Sequence, residues 1–263
     1  LTPAAAVAAV PPPSERASRK RRTSPDFHVE TRFGLIYEDD HYLVLDKPAP
    51  LAVYPVGCYA DLNLHSLVKR DWRWKDTDVR FAHRLDAETS GVILAAKSHE
   101  AARFAGIEFL KGRVKKMYRA VVFGVPIASA GLIDVPLGYD RSSGFQAIRV
   151  ADRAGERAVT RWRLVSSDGA YSELDVEPVT GRTHQIRVHL SLIGHPIVGD
   201  KIYVDPSLFP RYVESGIDAY ILSRIKLPRL ALHAKRLALS HPAMREEVVF
   251  ESQPPDFLSE IPR

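Results

Sequence analysis

Apolar and polar positions along the chain fall into many short alternating runs, interrupted by a few stretches of helical spacing. Leu35, Ile36 and Tyr37, then Tyr42, Leu43, Val44 and Leu45, read as two strands around the acidic turn Glu38-Asp39-Asp40, closed by Lys47-Pro48. Leu64, Leu67, Val68 and Trp72 recur at helical spacing. The apolar run 92–96 reads as a buried strand. Ser98 follows as a helix N-cap, with Glu100 in the first turn and Gly112 past the end. From Tyr118 onward the runs are strand-like: 118–125, 132–137, 145–151, 158–165 and 171–177. Within the fourth, Thr160, Trp162 and Leu164 alternate with Arg161 and Arg163, which predicts one buried and one wet face.

Residues 183–194 fit a strand by the alternation of Ile186, Val188 and Leu190, but the helical reading has more support. Thr183 can cap its start and Gly194 with Pro196 can end it. Ile186, Leu190 and Ile193 form one stripe, while His184, Arg187 and Ser191 share the other side. Residues 203–229, with Pro206, Pro210 and Pro228, read as an irregular insertion, and 231–239 with 246–250 as a last strand pair. Consecutive strands with occasional helices predict an α+β fold: one domain over 34–252, with a mixed, largely antiparallel central sheet flanked by helices and loops around one cleft. Residues 1–33, rich in Ala, Pro and Arg without periodicity, are expected to form a disordered basic tail, and 253–263 a C-terminal tail.

No apolar run reaches the roughly 20 residues of a membrane-spanning helix, so no membrane partner is expected. Cys58 is the only cysteine, which excludes an internal disulfide framework and fits a reducing, cytoplasmic setting. The net charge of +5 is concentrated in the first 25 residues, where five basic residues stand against Glu15, so the remainder is close to neutral. A nucleic-acid surface on the folded part therefore needs local clustering. Lys111, Arg113, Lys115, Lys116 and Arg119 around Tyr118 provide one, with a solvated charge run as the bland alternative.

The most specific string is His83-Arg84-Leu85-Asp86-Ala87-Glu88-Thr89-Ser90-Gly91, set just before the buried strand. Alone, an Asp in such a loop is usually a turn residue. The whole string resembles the HRLD…TSG signature of the RluA-type pseudouridine synthases. Three further segments agree in order: the opening hairpin with its Lys-Pro exit, Lys116 to Ala120 with Gly124 as a K-x-Y-x-A…G strand, and Gly181 to Asp200 (GRTHQIRVHLSLIGHPIVGD). Leu232-His233-Ala234 and His241-Pro242 resemble the family's closing element, and the match spans about residues 34–252. Pro50 and Tyr54 depart from the usual Gly and His. No counterpart of the small N-terminal RNA-binding domain of many relatives is expected here.

The resemblance implies a cofactor-free isomerase turning uridine into pseudouridine in ribosomal or transfer RNA by flipping the base. It implies Asp86 as nucleophile, Tyr118 as the tyrosine against the base, Arg187 as the partner of the aspartate, and Arg84 as the arginine that supports the flipped RNA. Further RNA contacts are expected from His83, Thr89, Lys111, Arg113, Lys115, Lys116, Arg182, His184 and Gln185. The chemistry suits one carboxylate: uracil leaves the sugar as a delocalised anion, so the second acid of most glycosidases is not needed. Attack on the sugar and a glycal-like route both remain open. His83, His184, His189 and His195 match no zinc spacing, and no metal is expected. The protein is taken as a monomer. Two competing readings are a non-catalytic RNA-binding or RNA-folding protein using the same cleft, and an N-glycosidase that releases the base.

Overall fold

The structure is a computed structural model, which describes residues 29–71, 73–141 and 148–262, without the side chain of Cys58. Trp72, residues 145–147 of an expected strand and residues 1–28 of the expected tail lie outside the described residues. In chain order the elements are β1 (Gly34–Glu38), β2 (Tyr42–Lys47), α1 (Leu64–Arg70), β3 (Arg80–Phe81), β4 (Ser90–Ala96), α2 (His99–Leu110), β5 (Lys115–Phe123), β6 (Ala130–Asp134), β7 (Leu137–Tyr139), β8 (Arg149–Ala151), β9 (Val159–Ser167), β10 (Tyr171–Pro178), α3 (Gln185–Leu192), α4 (Phe209–Ser215), α5 (Ala219–Ile225), β11 (Leu232–Ser240), β12 (Glu247–Glu251) and α6 (Phe257–Glu260).

Among the described residues one large sheet runs β1-β2-β4-β11-β5-β10-β9-β6, with β12 beside β11 and β3 beside β4. Its pairings are antiparallel except for the parallel contact of β11 with β4, so the fold is α+β on a mixed, largely antiparallel sheet, as expected. Local chemistry explains several elements. Asp39 Oδ1 accepts the N–H groups of His41 and Tyr42 at 2.8 and 2.7 Å and so turns β1 into β2. Ser98 caps α2 by accepting the Ala101 N–H. On β9, Thr160 and Trp162 are buried while Arg161 and Arg163 face water, as the alternation predicts.

Four expectations are corrected. The run 132–137 is two strands, β6 and β7, because Pro136 between them has no N–H for a ladder. Thr183 does not cap α3: the N-cap residue is His184, at φ 56° with no side-chain cap bond. The start is held instead by Gln185, whose Oε1 accepts from the Arg182 N–H and the Thr180 hydroxyl and whose Nε2 donates to Val159 O and Thr160 Oγ1. Residues 203–229 are mostly short helices, because Pro206 and Pro210 sit at helix starts, where a missing N–H costs nothing. Residues 253–262 are not a loose tail: Phe257 and Ile261 are buried in the largest core cluster. At the other end, Val29 and Phe33 already pack on the core.

α3 lies on one face of the β5-β10-β9 half of the sheet, where Ile186 and Leu190 join Ala120, Leu174 and Val176 in one core. On the other half, α1 and the loops around Leu51 and Leu85 cover Leu43, Leu45, Ile93 and Ala234. Tyr118 touches both clusters, which places it at the seam between the two halves.

Candidate functional site

The turn 83–89 is fixed from its exit. β4 leaves it pressed against β11, and Gly91 (φ +106°) sits so close that a Cβ would overlap the Ala234 carbonyl, so only glycine fits. Ser90 Oγ bonds His233 Nδ1 at 2.9 Å across the same junction. The Thr89 N–H donates to Asp86 O at 3.1 Å. Lys47, fully buried, donates its three protons to Pro48 O, Leu51 O and Ala87 O at 2.8, 2.7 and 3.1 Å, clasping the peptide after Asp86. His83 stacks on Phe109 at 4.9 Å, and its Nε2 accepts the Leu94 N–H at 3.1 Å. Burial pushes this ring down to about 3, which keeps it the neutral acceptor that the bond requires.

Asp86 meets α3 at the mouth of this turn. Arg187 Nη1 donates to Asp86 Oδ2 at 3.1 Å, and its Nε and Nη2 form a two-pronged bond to Asp200 at 2.7 and 2.9 Å. Asp200 also accepts the backbone N–H groups of Ile202 and Tyr203. Gly199 (φ +81°) lets the chain pass against the Arg229 carbonyl, where a Cβ would overlap, and so delivers Asp200 to the guanidinium. Burial raises the Asp86 carboxyl, but the His184 ring and Arg187 outweigh it and hold its pKa below the ordinary value. His184 is itself pushed down to about 4, by burial and then by Arg187, so at neutral pH Arg187 is the charge that acts. Its Nδ1 lies 2.9 Å from Tyr203 Oη.

Asp86, His184 and Arg187 line a cavity of about 420 Å³. Tyr118 forms part of the wall; burial and then the Asp86 carboxylate raise its phenol, which therefore stays protonated at neutral pH. Lys116 is beside it, with Nζ donating to Thr180 O at 3.2 Å, and burial lowers its pKa. His83, Arg84, Thr89, Arg182, His184 and Gln185 line the same cavity, so these expected residues come together with Asp86, Tyr118 and Arg187. Their parts differ. Arg84 is exposed at the mouth. Thr89 and Gln185 are buried, Gln185 bonding the backbone of Arg182 and Val159, and Arg182 pairs with Glu156 at 3.0 Å.

The basic cluster does not hold together. Arg113 pairs with Glu108 and Lys115 with Glu247, and neither lines the cavity; Lys111 is exposed past α2, away from it. Lys111 and Arg113 lie before β5, and on β5 itself strand alternation points the neighbours Lys115 and Lys116 to opposite faces. Sequence reasoning missed Asp200 as the clamp of Arg187 and Lys47 as the clasp of the Asp86 turn. The only signal for either was its position, at the end of the Gly181–Asp200 segment and at the exit of the hairpin.

The sequence model of the family described as RNA pseudouridylate synthase matches residues 41–192. The chain belongs to this family. A ribosomal large subunit pseudouridine synthase D of Pseudomonas aeruginosa is 37% identical over 231 residues, covering 85% of this chain and 69% of that protein. The dual-specificity RNA pseudouridine synthase RluA of Escherichia coli is 34% identical over 227 residues, covering 85% and 93%. Among solved structures, human RNA pseudouridylate synthase domain containing 4 superposes with a TM-score of 0.67 at 30% identity, over 86% of this chain and 90% of that one. The human domain containing 1 protein gives 0.68 at 26%, over 88% and 86%. The protein is thus an RluA-type RNA pseudouridine synthase, an isomerase acting on RNA. The four histidines picked out by sequence each hydrogen-bond to the fold: His189 to Thr160 and Val135, His195 to Phe123, and His83 and His184 as above. No helix among the described residues is long and apolar enough to cross a membrane.

Proposed function

We propose that Asp86 is the nucleophile of the isomerisation, that Arg187 keeps it ionised and aimed, and that Asp200 positions Arg187. The observation that carries this assignment is the single guanidinium shared between Asp86 and Asp200 in a cavity walled by Tyr118. The reaction breaks the bond from base N1 to sugar C1′ and makes one from C5 to C1′; the C5 proton leaves and N1 ends protonated, so no atom is gained or lost. Asp86 attacks C1′ as uracil departs as its anion, the sugar–enzyme bond holds the sugar while the base turns, and C5 then attacks C1′ and displaces the carboxylate, which leaves Asp86 free. Tyr118 gives the detached base an aromatic face, and its hydroxyl acts on the C5 proton as a neutral oxygen rather than a phenolate. Closure of the site against water keeps the free base from escaping.

Arg84 at the mouth supports the flipped RNA, and Lys116 and Arg182 meet phosphate or base oxygens at the rim. His83, Thr89, His184 and Gln185 hold the walls. The substrate is a uridine in ribosomal or transfer RNA, and the relative named for the ribosomal large subunit supports the ribosomal reading. The enzyme acts as a monomer in the cytoplasm, without a cofactor. Asp86→Asn is expected to abolish pseudouridine formation while leaving RNA affinity within about twofold, read by pseudouridine mapping and filter binding. Normal turnover in that variant removes Asp86 from the chemistry. Free uracil in place of pseudouridine from the unaltered protein would instead make it an N-glycosidase.

A further inference from the structure

The cleft continues beyond Asp86. A second chamber of about 430 Å³ lies alongside the first and shares Arg84, Asp86, Thr183, His184 and Arg187 with it. Its remaining wall has a different character: Tyr54 and Val56 from the loop after Lys47, and Phe209 and Tyr212 from α4. Tyr118 and Lys116 belong to the first chamber only. Tyr54 is 36% and Val56 62% exposed, so apolar surface is presented to the opening. The rings are braced, Tyr54 edge-on to Phe81 at 6.0 Å and Phe209 at 6.2 Å from Tyr212. Lys201 in this wall is bonded to Glu88 and to Pro228 O, so its charge is already matched. Arg84 stands at the partition, exposed to both chambers, and none of its hydrogen bonds is found among the described residues.

We propose that this second chamber is a binding subsite for the base of the nucleotide next to the target uridine, stacked against Tyr54 and Tyr212, with the linking phosphate at Arg84. The inference rests on the first chamber taking the target uridine. An RNA strand with one base turned into the first chamber must continue past its mouth, and the neighbouring base has lost a stacking partner. Aromatic side chains replace that partner with little regard to base identity, and a cation beside them matches the backbone charge. The volume fits one such group, being within the ordinary range of small-molecule sites. The segment that builds part of this wall, α4, lies in 203–229, so it would hold the neighbouring base whatever its identity.

The test uses a hairpin RNA copied around the uridine that pseudouridine mapping identifies, with abasic versions at its 5′ neighbour, at its 3′ neighbour and at the target itself. Binding is measured to Asp86→Asn protein alone and combined with Tyr54→Ala, Tyr212→Ala or Tyr212→Phe. Removing one neighbouring base is expected to weaken binding about tenfold, the scale of one base–aromatic stack. That penalty should shrink to about twofold or less with Tyr54→Ala or Tyr212→Ala and persist with Tyr212→Phe, which keeps the ring. Thermal melts identify any variant that has unfolded; Tyr54, at the surface, carries the test if Tyr212→Ala does. A neighbour whose removal costs nothing, or a penalty that stays the same in all variants, overturns the subsite. If instead the target base can be removed without effect, the first-chamber reading fails and the subsite that rests on it falls with it, an outcome the neighbour series tells apart from failure of the subsite alone.

Discussion

Lys115 and Lys116 are adjacent in the chain and live in different chemistry. Lys115 is on the outer face of β5, paired with Glu247 at 2.6 Å and still 68% exposed at its side chain. Four residues on, Arg119 is held on that face by Glu173 and Asp175, and Asp175 also takes Arg163. Lys116 is on the cleft face beside Tyr118, and its ammonium makes one bond, to Thr180 O. The outer face matches each cation with a carboxylate, whereas the cleft face leaves bonding capacity open toward a cavity. Charge density along the sequence therefore marks the site poorly. Incomplete satisfaction in a partly closed space marks it well, because buried polar groups are otherwise paired.

The sharpest way to break this contrast is to remove one carboxylate from each face. Asp200→Asn keeps the shape but leaves Arg187 with a single anion, Asp86, and frees the guanidinium to swing. Turnover is expected to fall at least about a hundredfold. Stability should drop by about 3–5 kcal/mol, the cost of breaking a buried pair. Glu173→Gln on the outer face leaves Arg119 its second carboxylate, and should change stability by less than about 1 kcal/mol with no effect on turnover. Pseudouridine formation rates and denaturant melts read both. Equal losses from the two substitutions would mean that both ion pairs are structural.

Acidification separates the faces by a smaller effect. His83 and His184 are held neutral in the fold, at about 3 and about 4, against an ordinary value of 6.5. Below 6.5 the unfolded chain takes up protons that the folded one refuses, so the stability these rings contribute is complete above 6.5 and is lost as pH falls toward 4 and 3. The loss is expected to reach a few kcal/mol. Melting temperature should fall between pH 6.5 and 5, and His83→Gln, which keeps an acceptor for the Leu94 N–H, should flatten the fall. An unchanged slope in that variant would show that His83 is protonated in the fold at little cost.

What could be read from sequence divides along the same line. Local rules were enough where the cause is local: the Asp39 turn, the Ser98 cap and the alternation of β9 were all legible. The residues of the cleft were legible only through the family resemblance, since nothing in the spacing of Asp86, Tyr118 and Arg187 joins them. A parallel β4–β11 contact and a bulky-free path at Gly91 bring them together, and both are tertiary facts. The start of α3 was misread for the same reason, because Gln185 is fixed by Val159 and Thr160 on β9 rather than by a neighbour in sequence. The basic run 111–119 was overvalued because most partners that neutralise it come from distant stretches of chain: Glu247 from β12 for Lys115, and Glu173 and Asp175 from β10 for Arg119, with only Arg113 paired locally, to Glu108.

The finest discrimination is between the two lysines themselves. Each phosphate contact made by a lysine releases counterions, so its loss should lower the slope of log affinity against log salt by about 0.7–0.9. Lys116→Met is expected to lower the slope for binding of RNA by that amount, because its ammonium faces the cavity with protons to spare. Lys115→Met is expected to leave it unchanged, since Glu247 already matches its charge on the far face. A filter-binding titration across salt concentrations reads both. If Lys115 lowered the slope and Lys116 did not, RNA would have to cross the outer face of β5, and the partner-matched surface rather than the open cleft would be where the strand lies.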